Sequence, residues 1–232
     1  MKRFAPLSAI AVLLLSVFFA VPPTPANAQS AGLVSSVLSR LEKNRANLKS
    51  LRAGINMEKY NSQIGSNDKL TGVVMYIPGA GRSASVRIEW QKPTHEILAV
   101  QDGKYTLFKP RLSTAYVGNS NKAPKGSSGI MDMMYMTRQQ LETKFQPLQD
   151  VREETLWGGV STIHLTLVPK GNAGYKYAEV WIDSSGMPVQ SKIVEKNDDV
   201  TTMRLVSIEK NPKISTDDIK LKLDSNVKII KT

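Results

Sequence analysis

The side chains able to carry acid–base, metal or nucleophilic chemistry are few and poorly spaced for it. The 232 residues include two histidines, His95 and His164, and no cysteine. Thiol chemistry and cysteine–metal sites are therefore excluded. His164 falls on the polar side of an alternating run, Ile163, Leu165 and Leu167 against Thr162, His164 and Thr166. A solvated or structurally bonded imidazole is the default there. Glu153-Glu154 and Asp217-Asp218 are adjacent acidic pairs. Neighbouring side chains on a strand point to opposite faces, so neither pair reads as a dyad. No G-x-S-x-G, H-E-x-x-H, P-loop or dinucleotide glycine pattern occurs, and Gly79-Ala80-Gly81 follows a strand pattern but precedes no helix. The expectation is a protein that is not an enzyme, with no catalytic residue, no metal ligands and no cofactor.

Apolar residues are patterned far more strongly. Val86–Pro110 reads as three strands, Val86–Trp90, Glu96–Val100 and Tyr105–Lys109, with Lys92-Pro93 in the first connection and Asp102-Gly103 as the second turn. Asp-Gly between apolar runs is a strong hairpin signal, because both residues tolerate the positive φ of a type I′ turn. Val86, Ile88 and Trp90 then share one face. The other concentration is Ile130-Met131-Asp132-Met133-Met134-Tyr135-Met136, which holds four of the nine methionines. Methionine fills irregular cores and also lines adaptable binding surfaces. Core packing of a short helix is the simpler account, and a lid over an apolar cavity is the other.

The elements that must position these groups begin after residue 28. Lys2 and Arg3, the apolar run Leu7–Val21 and Ala26-Asn27-Ala28 form the tripartite pattern of a signal peptide cleaved after Ala28. Residues 29–232 then form a single exported domain. Formal net charge is +11, falling to +9 without Lys2 and Arg3. The cations are scattered rather than blocked, which argues against a nucleic-acid partner.

Helical periodicity over Ala31–Leu51 places Leu33, Val34, Val37, Leu38, Leu41, Leu48 and Leu51 on one stripe, with Gly54 and Asn56 as stop signals. Strands follow at Ile55–Tyr60 and Leu70–Ile77, then the Val86–Pro110 stretch and Thr114–Val117. Asn119–Gly129 is a polar surface loop. Thr137-Arg138-Gln139-Gln140 has the form of a capping box opening a helix that buries Leu141 and Phe145, with Pro147 as its stop. From Val151 the pattern is β again, a meander with turns at Asp183–Gly186 and Asn197–Asp199, then a capped turn at Ser215–Ile219 and a closing strand at Val227–Ile230. The sum is a mainly β protein with helices (α+β): an all-antiparallel sheet of about ten strands that curls or closes on itself.

With these elements in place the chain resembles the periplasmic outer-membrane lipoprotein carriers, the LolA-type lipoprotein-sorting family. Leu38, Leu41, Leu48 and Leu51 fit that family's leucine spacing. Trp90-Gln91-Lys92-Pro93, Ile97–Val100, Asp102-Gly103-Lys104 and Tyr105–Pro110 match its strand–x-x-Pro–strand–Asp-Gly-Lys–strand pattern. Val180–Asp183 with Gly186-Met187-Pro188, and Ser215–Ile219 leading into Leu221-Lys222-Leu223, are also similar. The resemblance implies a half-open, incomplete antiparallel β-barrel with helices covering its concave apolar face. It implies a monomeric periplasmic carrier of lipoprotein acyl chains or free lipid, with an inner-membrane release complex and an outer-membrane acceptor as partners. Val86, Ile88, Trp90, Ile97 and Leu107, with Met131, Met133, Met134 and Met136, would line the acyl-chain cavity. A sensor of envelope lipids or misplaced proteins on the same fold is the alternative. One feature departs from the family: Ile77 stands before Pro78, where an arginine often holds the lid, and Arg82 or Arg87 would have to replace it.

Overall fold

The computed structural model describes residues 26–79, 84–122 and 129–232. The expected signal peptide lies largely outside these residues, as do Ala80–Ser83 and most of the polar loop before Gly129. Helix α1 spans Ala26–Asn47, followed by strands β1 (Leu51–Asn61), β2 (Ser66–Ile77), β3 (Ser85–Lys92), β4 (Glu96–Gln101), β5 (Lys104–Lys109) and β6 (Thr114–Asn119). Two short helices, α2 (Gly129–Tyr135) and α3 (Arg138–Lys144), lead into β7 (Gln149–Leu156). Then come β8 (Val160–Leu167), β9 (Tyr175–Asp183), β10 (Pro188–Glu195) and β11 (Val200–Lys210). Helix α4 (Thr216–Ile219) and β12 (Lys228–Lys231) close the order.

All twelve strands join one sheet in the order β12-β6-β5-β4-β3-β2-β1-β11-β10-β9-β8-β7, and its two edges do not pair with each other. The half-open barrel is therefore what forms. The all-antiparallel expectation needs one correction, because β12 runs parallel to β6 from the register Lys228↔Thr114 to Lys231↔Val117. A chain returning from another part of the fold is free to add to an edge in either direction, and no hairpin turn dictates its sense.

The first helix is also shorter than the leucine spacing predicted at its C-terminal end. Leu51 lies three residues after Leu48 and two before Ala53, so it fits both helical and strand periods. Pairing decides: Leu51 registers with Tyr76 on one side and Lys210 on the other. The local turn signals behave as read. Asp102 and Gly103 both take positive φ, 52° and 71°. In the capping box the Gln140 N–H donates to Thr137 Oγ1 at 3.1 Å and the Thr137 N–H donates to Gln140 Oε1 at 2.9 Å.

Residues facing each other across a ladder share a face, so the register identifies the two sides of the sheet. Leu107, Leu98, Ile88, Val74 and Ala53 form one row across β5 to β1. Leu165, Val180, Ser191, Met203, Met57 and Leu70 form another across β8 to β2. This inner face carries the core. Val37, Leu38 and Leu41 of α1 pack with Ile163, Leu165, Val180 and Ile182. Ile130, Met131 and Met134 of α2 pack with Ile55, Ile88, Trp90, Met203 and Leu205.

The outer face is covered locally by α4, which lies against β2, β3 and β4 and buries Ile219 fully. Its cap is the carboxylate of Asp218, which accepts from the Ser215 N–H and Oγ, both at 2.8 Å. The backbone hydrogen bond from Ser215, then the hydroxyl bond, holds this carboxyl below its ordinary 3.8. A depressed carboxyl contributes stability above its unfolded pKa and loses it as pH falls through the folded value. The Ser215 amide resonance is therefore expected to titrate with a midpoint below 3.8, and a midpoint at or above 3.8 would contradict the cap.

Candidate functional site

Strand β3 alternates buried and half-buried positions, placing Ile88 and Trp90 on the inner face with Val86 partly buried beside them. Leu107 occupies the same face from β5 and is half-buried. Helix α2 lies over β10 and β11. Its Met131 and Met134 join the cluster around Ile88 and Trp90, whereas Met133 packs into the cluster beneath α1, with Met136 partly buried against it. The methionine segment thus bridges the two apolar clusters of the inner face. That position is a roof made of flexible, polarisable side chains. The structure brings together Val86, Ile88 and Trp90 of the sheet with Met131 and Met134, while Leu107 shares only their face and Met133 and Met136 pack in the neighbouring cluster.

It does not bring Ile97 to them. Ile97 pairs with Glu89 and Phe108, so it faces outward. There it lines, with Met75, Phe108 and Arg87, a cavity of ≈ 530 Å³ beside the segment carrying α4. Within the run Glu96–Val100 every other residue is outward, but Ile97, Leu98 and Ala99 are all buried, so no alternation marks the faces. The outer side is covered by a segment more than 100 residues later, which no local pattern announces.

The same register settles Arg87. It pairs with Met75 and Ala99 on the outer face, and its guanidinium donates to Glu89 Oε2 at 3.2 Å and to the Asp218 carbonyl at 3.3 Å. It therefore does not hold α2, and Arg82 lies outside the described residues. Among described side chains, α2 is held by the apolar packing of Ile130, Met131, Met133 and Met134.

His164 is buried, at 1% exposure, and so is structural rather than solvated. Its Nδ1 lies 3.1 Å from the Asp150 carbonyl oxygen, Nε2 is 3.4 Å from Glu179 Oε2, and the ring sits 4.7 Å from that of Trp181. Trp181 Nε1 donates to Glu154 at 3.0 Å. Together these contacts tie the edge strand β7 to β8 and β9. Among the described residues, no group of three or more His, Cys, Asp or Glu is placed to hold a metal ion.

A second cavity, ≈ 390 Å³, opens between the last turns of α1, the β9–β10 turn and the end of β11. Arg40, Lys43 and Lys210 line it with Asn44, Ser185 and Asn211. No sequence pattern marks this pocket, because its residues come from three segments far apart in the chain and none forms a motif.

No protein-family model matches the sequence, and neither does any curated protein. Solved structures do match in fold. An uncharacterized conserved protein from Thermus thermophilus superposes with a TM-score of 0.54 at 13% identity, over 86% of this chain and 99% of that one. MucB in the Pseudomonas aeruginosa MucA/MucB complex gives 0.49 at 12% identity, covering 88% of this chain and 64% of that one. LolA superfamily protein NE2245 from Nitrosomonas europaea gives 0.41 at 11%, covering 81% and 97%. LolA-superfamily structures are thus among the structural neighbours of this chain, at low sequence identity.

Proposed function

We propose that this protein is an exported carrier that shields the acyl chains of lipoproteins or free lipids on its inner face. The observation that carries the reading is a sheet face bearing two apolar clusters, bridged by a methionine-rich helix held by apolar packing. Magnitudes support an exchange between roof and cargo. Burying four large apolar side chains of α2 is worth about 6–12 kcal/mol at ~1.5–3 each. Burying a chain of about fifteen methylenes is worth ~12 kcal/mol at ~0.8 each. The two are of similar size, so an acyl chain replaces α2 at little net cost and leaves again readily, as carriage requires. The resemblance of the sequence adds a donor complex at the inner membrane and an acceptor at the outer membrane.

The test is organic extraction of gently purified protein with mass spectrometry of the extract, alongside titration with an apolar fluorescent probe. Co-purified lipid and saturable probe uptake are expected. Neither lipid in the extract nor probe uptake would sink the carrier reading.

A further inference from the structure

The ≈ 390 Å³ cavity at the end of α1 is the second place where the molecule is built to hold something. Three cations, Arg40, Lys43 and Lys210, line it, and no carboxylate does. Among the described residues none of the three has an ion-pair partner, although nine ion pairs of Lys or Arg exist elsewhere, from Arg52–Glu209 to Lys192–Glu179. The Lys210 ammonium is fixed in place, donating to Asn44 Oδ1 at 3.1 Å and to Ser185 Oγ. Asn44, 7% exposed, positions that ammonium and is itself anchored by donating its side-chain N–H to the Met187 sulfur at 4.0 Å. A cavity lined by three cations and no carboxylate, with the Lys210 ammonium held by neutral oxygens alone, presents positive charge to an anion.

Two features that would oppose an anion are already engaged. The carbonyls at a helix C-terminus carry partial negative charge. Here the Asn44 carbonyl accepts from the Leu48 N–H at 2.9 Å and the Asn47 carbonyl from the Asn211 side chain at 3.2 Å. The Asp183 carboxylate in the adjoining turn accepts from the Ser185 N–H, the Ser185 hydroxyl and the Met187 N–H through Oδ1.

Leu48 lines the pocket and is also part of the apolar cluster that contains Leu51, Met187, Ile88 and Trp90. The pocket therefore stands where the inner face meets water. An amphiphile with its tail on that face would present its charged end here.

We propose that this pocket binds a phosphate group, the chemistry shared by an anionic lipid headgroup and free phosphate. It deepens the carrier reading and rests on it for the lipid source. Three ligands separate the possibilities, titrated against the full mature chain: dihexanoylphosphatidylglycerol, neutral dihexanoylglycerol and inorganic phosphate. Arg40→Gln/Lys43→Gln removes two pocket charges, and Arg45→Gln/Lys49→Gln removes two from exposed positions outside the pocket lining. The wild type is expected to prefer phosphatidylglycerol over the neutral lipid by about tenfold, from charge-assisted hydrogen bonds. The pocket variant should lose that preference with its neutral-lipid affinity intact, while the control variant keeps it. Phosphate bound as tightly as phosphatidylglycerol, with the same loss in the pocket variant, would support the site and assign it to free phosphate. No preference over neutral lipid together with no phosphate binding, or equal losses in the two variants, would overturn it. Failure of dihexanoylglycerol to bind the wild type counts against the carrier reading alone, because phosphate binding is read separately.

Discussion

Replacing Trp90 by alanine is expected to lower the melting temperature by about 6–20 °C. Trp90 is 4% exposed and belongs to the cluster that joins β1, β2, β3 and β11 to the roof helix α2. Truncating a buried tryptophan costs about 3–5 kcal/mol, because the surroundings relax only partly into the space left. Here relaxation is limited further, since β3 is laddered to β2 on one side and β4 on the other. In a domain of this size each kcal/mol moves the midpoint by about 2–4 °C. Trp157 is the control: it sits at the tip of the β7–β8 turn and is 88% exposed. Its alanine variant should stay within about 0.5 kcal/mol of the wild type. Thermal unfolding followed by circular dichroism checks both, and comparable small shifts in the two variants would mean that Trp90 does not anchor the inner face.

Gly186→Ala is expected to cost about 3 kcal/mol or more and to loosen α1. Gly186 has φ of +81°, and a Cβ there would lie 2.1 Å from the Arg40 carbonyl oxygen and 2.4 Å from its carbon. The left-handed conformation alone costs an alanine about 1–2 kcal/mol. The rest comes from a backbone contact that no rotamer relieves, so the last turns of α1 must lift from the β9–β10 turn. Gly103→Ala separates the two contributions, because Gly103 has φ of +71° and nothing within 4 Å of its Cβ position. Denaturant unfolding should show the Gly186 variant losing at least twice as much stability. Amide exchange over Leu41–Asn47 should quicken only in that variant. Equal losses would show that α1 is not seated where the structure places it.

How much of this molecule is legible in its sequence follows from how far apart the interacting residues lie. The turn at Asp102-Gly103, the capping box at Thr137 and Gln140, and the shared face of Ile88 and Trp90 each depend on residues within about five positions. Local sterics and hydrogen bonding decide such features, and they survive into the fold. Leu51 was ambiguous because it satisfies two periods, and the choice was made by strands that begin at Ser66 and end at Lys210. The resemblance groups Ile97 with Ile88, and the unbroken apolar run around Ile97 has no alternation to reveal its face. Its outward burial depends on α4, which arrives from the far end of the chain.

A mainly β chain with an apolar strand face, a methionine-rich helix beside it and a scarcity of catalytic groups is thus written in local patterns. The assembled fold set which apolar residues share the inner face, put Arg87 on the other side and added β12 in parallel. It also assembled Arg40, Lys43 and Lys210 around one pocket with Asn44. The physical reason is that patterns of period 2 and 3.6 encode a residue's own face. Which distant segment covers that face is set by strand order and register, and these are properties of the whole sheet.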